Sequence, residues 1–249
     1  MKTQIQLFFT ALTFFTRIPC ARWGVHTEQD LNRAARFFPL VGVVVGGVGA
    51  LVFVAAVQVL PQSLAVLLSM VATILLTGAF HEDGLTDAID GLGGGWEKEQ
   101  ILTIMKDSRI GSYGAVALVL GLLMKFEALS AIPAALMPAV LVAGHALSRL
   151  VSTSLIFTQS YVRENGKAKP LAQHMSRGEF VFALLCGLAP LALLPLSALW
   201  ALLPVLLSLW WFGRLLQRKL GGYTGDCLGA MQQISEVTFY LAVLACISH

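Results

Sequence analysis

Long apolar runs separated by short polar segments organise this chain. The runs cover Phe38–Leu60, Leu64–Phe80, Tyr113–Ile132, Ala134–Phe157, Phe180–Leu196, Leu199–Phe212 and Val237–Ser248. A membrane-spanning helix needs ~20 apolar residues, within about 17 to 25. Several runs meet that length. The two between Phe180 and Phe212 are marginal, and the last suffices only if its helix begins near Cys227. The pattern predicts an all-α, polytopic membrane helical bundle of six or seven transmembrane spans, seven being favoured. A β-barrel would instead show short segments of alternating hydrophobicity.

The connectors sort into two kinds. Those near Pro61-Gln62, Ala131–Pro133 and Leu196-Ser197 are short and uncharged. Segments 1–37, 81–112, 158–179 and 214–236 hold every Lys and Arg except Lys125 and Arg149. Positive charge collects on the cytoplasmic side of membrane proteins, so all four charged segments are expected there. The spans then form hairpins with the polar machinery on one face, and a seventh span puts the C-terminus outside. No repeat or linker divides residues 1–249, which read as one domain. The start, with Lys2 ahead of Leu7–Phe15, superficially resembles a signal peptide. It has no small-residue cleavage site, and Arg17, Pro19 and Arg22 follow at once, so segment 1–37 is expected to hold a retained interfacial helix.

Composition agrees with the pattern. Of 249 residues, 57% are hydrophobic and 12% charged, with a mean hydropathy of +0.76. A soluble domain carries about 25% charged residues, so a water-soluble globule is excluded. The net charge of +3 is too small to suggest a nucleic-acid partner. Cys20, Cys186, Cys227 and Cys246 show no CxxC or metal-ligand spacing and read as reduced packing thiols.

Candidate chemistry begins at His81-Glu82-Asp83-Gly84-Leu85-Thr86-Asp87-Ala88-Ile89-Asp90. Read as a helix, Asp83, Asp87 and Asp90 fall at i, i+4 and i+7 and share one face. Three carboxylates on one face repel one another unless a cation sits between them, and a hard divalent ion with oxygen ligands, Mg²⁺ above all, suits that role beside phosphates. These three are the expected metal ligands, with Glu82 beside them and His81 a weaker member. Gly91 to Gly95 should end this helix, and Trp96–Ser108 should form a short cytoplasmic helix with Ile101, Leu102 and Met105 on one side.

Two further motifs carry phosphate chemistry. In Lys106-Asp107-Ser108-Arg109-Ile110-Gly111-Ser112-Tyr113-Gly114, Lys106 and Arg109 are spaced to face one phosphate. Gly221-Gly222-Tyr223-Thr224-Gly225-Asp226 is a glycine-rich turn opening a helix, which offers N–H groups to an anion. Asp226 is equally readable as a metal ligand or a helix N-cap. Arg149 lies within an apolar run, where a charge costs at least ~2.5 kcal/mol, so it should face the bundle interior. It either pairs with Glu127 or reaches a substrate phosphate. Segment Tyr161–Glu179, with Arg163, Lys167, Lys169, His174 and Arg177, is a basic loop that could guide an anionic substrate.

Taken together, Glu82-Asp83-Gly84 with Asp87, Asp90-Gly91 and Gly93–Gly95, then Lys106-Asp107-Ser108-Arg109-x-Gly-x-Tyr-Gly, resemble the signature of the cobalamin synthase family, the adenosylcobinamide-GDP ribazoletransferases. Phe15-Thr16-Arg17-Ile18-Pro19 and Gly225-Asp226-x-Leu-Gly-Ala add to the resemblance, which spans the whole chain in order. The resemblance implies a multi-pass enzyme of the bacterial inner membrane, requiring Mg²⁺, with its active site facing the cytoplasm. It would join adenosylcobinamide-GDP to α-ribazole or its 5′-phosphate, giving adenosylcobalamin or its 5′-phosphate and GMP. The implied catalytic residues are Glu82, Asp83, Asp87, Asp90, Lys106 and Arg109, with Glu82 or Asp90 as general base. Gly225, Asp226, Arg149 and Asp107 would assist binding. The lipid bilayer is an expected partner, and a homo-oligomer or association with other cobalamin-pathway enzymes stays open. The acidic spacing is also distantly similar to the CDP-alcohol phosphotransferase motif, but that motif's Ala-Arg and final Asp-x-x-x-Asp are missing. An ion or solute transporter is the rival from another class, and the one-sided charge and lack of repeats weigh against it.

Overall fold

A computed structural model describes residues 2–25, 28–162 and 175–247. The described residues are helical and contain no strand beyond one isolated bridge between Tyr161 and Tyr223. Helices α1 (Lys2–Phe15) and α2 (Glu28–Ala34) precede the bundle. Its members are α3 (Phe38–Ala56), α4 (Gln62–Thr77), α5 (Phe80–Gly94), α6 (Lys98–Ile104), α7 (Ser112–Ala131), α8 (Met137–Thr158), α9 (Arg177–Leu188), α10 (Leu202–Lys219) and α11 (Gly225–Ile247). The all-α membrane architecture expected from the apolar runs is therefore the one observed.

Five helical segments are long and apolar enough to cross a bilayer: Asp30–Ala56, Ser112–Ala131, Met137–Thr158, Leu196–Lys219 and Gly225–Ile247. A sixth exists if α4 and α5, which meet at an 84° bend, count as one broken span. The expected seventh is not a continuous helix. The Phe180–Leu196 run becomes α9 followed by a 3₁₀ turn at Ala189–Leu193. Pro190 and Pro195 explain the break, because each removes a backbone donor that a continuing helix needs. Helix α1 has 14 residues, short of a span, and buries Leu7 and Ala11.

Small residues let the helices approach closely, as packing within a bilayer favours. Helix α8 is the centre of the bundle, buried along most of its length. Gly42 and Gly46 of α3 lie directly on its backbone at His145 and Leu141, where a Cβ would have no room. At the uncharged end, Gln62 ties two turns together by donating to the carbonyls of Ser130 and Ile132, at 3.0 and 2.7 Å. One end each of α7, α8, α10 and α11 reaches into the polar segments. Of the basic loop, Arg163, Lys167, Lys169 and His174 fall outside the described residues, and Arg177 opens α9.

Candidate active site

The acidic segment forms a helix, as its spacing predicted. Gly78 and Ala79 both take left-handed conformations, at φ 67° and 58°, and turn the chain from α4 into α5. The turn is held from outside, since Arg17 N–H donates to the Leu76 carbonyl at 2.8 Å. The exposed Arg17 guanidinium lies against Gly78. Along α5, Asp83 is exposed, Asp87 half-buried and Asp90 buried.

Asp90 differs from its sequence reading. Its two oxygens accept the N–H groups of Gly111 at 2.7 Å and Gly114 at 2.8 Å. A carboxylate placed there satisfies amides that the first turn of α7 leaves without intrahelical partners. Asp90 thus fastens the acidic helix to α7. Among the described residues no three His, Cys, Asp or Glu side chains come together as a ready metal site.

The glycines of α5 are packing surfaces rather than breaks in the helix. A Cβ on Gly84 would stand 3.1 Å from the Asp226 carbonyl and from Gly229 Cα, so α5 and α11 cross in direct contact. Gly91 receives Met105 of the segment after α6, and Ile101 and Met105 are buried as their spacing predicted. Met105 Sδ in turn lies 3.9 Å from Thr224 Oγ1. Three motifs widely separated in sequence thereby meet: the acidic helix, the Lys106–Arg109 segment and the glycine-rich turn.

That turn removes the N-cap reading of Asp226. Thr224 is the cap of α11, its hydroxyl accepting the Cys227 N–H at 3.3 Å. Asp226 sits in the first turn, beside Gly84 of the acidic helix, and Gly225 is the first residue of α11. Lys106 is exposed. Arg109, also exposed, pairs with Asp107 at 2.6 Å, and its hydrogen bonds hold the Asp107 carboxyl below the usual carboxylate range.

Arg149 does not pair with Glu127, which is exposed on α7. It belongs instead to a buried polar network that sequence reasoning missed. Glu236 of α11 contacts Lys125 Nζ at 2.9 Å and His145 Nδ1 at 3.2 Å, and accepts from Gln232. Lys125 also donates to Gln233 at 3.0 Å, and Gln233 donates to Glu82 Oε1 at 3.0 Å. Arg149 lies 3.3 Å from His145 Nδ1 and donates to the His145 carbonyl at 3.0 Å. Glu82 therefore points into the bundle, 8% exposed, away from the face carrying Asp83. Lys125 and Arg149 were flagged by lying in apolar runs; their partner Glu236 carried no such mark, because it follows a polar turn.

Fold and site together define a polytopic helical membrane enzyme in which the acidic helix, the segment after α6 and the glycine-rich turn meet. The match with known proteins is more specific. Residues 7–244 match the family described as cobalamin-5-phosphate synthase, and the chain belongs to that family. Similar proteins named adenosylcobinamide-GDP ribazoletransferase occur in Shewanella frigidimarina (50% identical, covering 97% of this chain and 95% of the relative) and Shewanella amazonensis (49%, covering 98% and 96%). Another, in Shewanella woodyi, is 46% identical over 98% of this chain and 97% of its own length. No solved structure matches.

Proposed function

We propose that this enzyme joins adenosylcobinamide-GDP to α-ribazole or its 5′-phosphate, releasing GMP, at the cytoplasmic face of a bacterial inner membrane. The reaction named for its relatives supports the substrates. The observation that carries the reading is the Gly84–Gly229 crossing, which sets the Asp83 and Asp87 helix against the Asp226 turn. All donors there are oxygens of the kind Mg²⁺ prefers. Mg²⁺ commonly takes one or two carboxylates and completes its shell with water and substrate phosphates, which fits Asp83 and Asp87 without a third preassembled ligand. When bound, such an ion neutralises charge on a pyrophosphate and on the departing nucleotide.

The protein's own residues have separate tasks in this reading. Asp83 and Asp87 hold the cation on the exposed face of α5. Lys106 offset the charge of the transferring phosphate, and the first turn of α11 adds N–H donors and a favourable dipole. The acceptor hydroxyl attacks the phosphorus attached to the aminopropanol arm while the phosphoanhydride bond to GMP breaks. Asp90 accepts the α7 amides with both oxygens, whereas Glu82 accepts from Gln233 with one oxygen and keeps the other buried without a hydrogen-bond partner. The hydroxyl proton is assigned to a carboxylate of the α5–α11 crossing, Asp83, Asp87 or Asp226. Arg109 serves through its clasp with Asp107, which orders the segment beside Lys106.

The test is GMP release from adenosylcobinamide-GDP by detergent-solubilised protein, with α-ribazole and Mg²⁺ each present or withheld. Release that requires both, with a cobalamin product, is expected. Release without the acceptor would mean hydrolysis, and turnover of a CDP-activated donor in its place would mean a different transferase.

A further inference from the structure

One cleft beside the acidic helix has an aromatic lining that phosphate chemistry does not use. Its floor is Phe15, Phe38 and His81, exposed by 8%, 2% and 3%. The Phe15 and His81 rings are stacked, 5.4 Å apart and within 13° of parallel, and Phe38 meets Phe15 edge-on at 4.5 Å. The rim is Phe14 and Phe80, in edge contact at 5.2 Å, and Gly225 of α11 closes another side.

Its position ties it to the site. Phe80, Asp83 and Asp87 fall at i, i+3 and i+7, so the rim ring, the exposed Asp83 and the half-buried Asp87 share one face of α5. Three residues of helix separate Phe80 from Asp83, a rise of ~4.5 Å. A flat ring seated against Phe80 would therefore hold its attached sugar near Asp83. Flat aromatic groups suit such walls because offset-stacked and edge-to-face contacts add to the gain from burial.

We propose that this cleft binds the fused aromatic base of the ribazole acceptor and so directs the ribose hydroxyl toward the Asp83–Asp87 face. The inference rests on the transferase reading above. As it stands the cavity holds only about 40 Å³, too little for a fused ring. Entry requires the rim rings to swing outward from Phe15, which both meet edge-on, and Phe14 and Phe80 are the most exposed of the lining rings, at 38% and 40%. The base of the donor's guanosine is not a competing occupant: it leaves with GMP and carries polar edges that this lining would not satisfy.

Steady-state GMP release by wild type, Phe14→Ala and Phe80→Ala tests the assignment, with each substrate varied at saturating concentration of the other. Thermal unfolding checks that each variant is folded. The acceptor KM is expected to rise about tenfold or more, the scale of losing one large apolar contact, while the donor KM stays put. Phe80→Tyr, which keeps the ring, should restore the acceptor KM. An unchanged acceptor KM in both alanine variants would overturn the proposal and leave the cleft to lipid. Equal rises for donor and acceptor would overturn it too, by reducing the rings to scaffold. A wild-type enzyme that releases no GMP with ribazole would instead refute the underlying transferase reading.

Discussion

Removing Glu236 should unfold the bundle from its centre. The carboxylate is 1% exposed and answers Lys125 at 2.9 Å, His145 at 3.2 Å and the Gln232 amide. Replacement by leucine leaves Lys125, itself 6% exposed, with only the Gln233 oxygen, and leaves Arg149 with Glu82 alone as a nearby carboxylate. Breaking one side of a buried ion pair costs about 3–5 kcal/mol, since the remaining charge stays desolvated. For a domain of this size each kcal/mol moves the unfolding midpoint by roughly 2–4 °C, so the expected fall is on the order of 10 °C. Cys20 and Cys227 are buried and in no disulfide, so a thiol-reactive dye reports their exposure on unfolding in detergent, over a baseline from the half-buried Cys186 and Cys246. The paired change Lys125→Met with Glu236→Leu removes both charges of that pair and should recover the part of the loss owed to Lys125. A Glu236→Leu midpoint equal to wild type, or a double variant worse than the two single losses combined, would refute the network's role.

Other expectations follow from single contacts. Asp90→Ala strips two amides at the start of α7 of their acceptor and should cost roughly 1–2 kcal/mol in unfolding experiments, the scale of a lost helix cap. Glu82→Gln keeps a group able to accept from Gln233, so turnover should survive and its pH profile should not move; loss of the acidic limb, with a fall in turnover, would restore Glu82 as general base. Gly84→Val forces α5 off α11 at a contact with 3.1 Å of room, and GMP release should fall severalfold or more even where the protein still purifies as a folded species.

Much of this architecture was legible because its signals are local. The i, i+4, i+7 spacing of Asp83, Asp87 and Asp90 identified a helix, and Ile101 with Met105 identified the short helix that packs beneath it. Short uncharged connectors located the far end of the bundle. What escaped depends on distance along the chain. Asp90 reads as a ligand until its amide donors, 21 and 24 residues later, are brought to it. Glu236 carries no mark of burial in its own neighbourhood, and only the fold delivers Lys125 from α7 and His145 from α8. The broken Phe180–Leu196 run is different: Pro190 and Pro195 announced it, and apolar length alone outweighed them in the expectation of a seventh span.

The catalytic assignment turns on the exposed face of α5. GMP formation by Asp83→Asn, measured at saturating substrates across a range of Mg²⁺ concentrations and beside its thermal unfolding, tests it most directly. Because Asp83 is exposed, the variant should unfold at the wild-type midpoint while its rate drops by about 10²–10³, the cost of removing a preorganised electrostatic group. A folded Asp83→Asn enzyme with wild-type turnover and unchanged Mg²⁺ dependence would contradict the assignment.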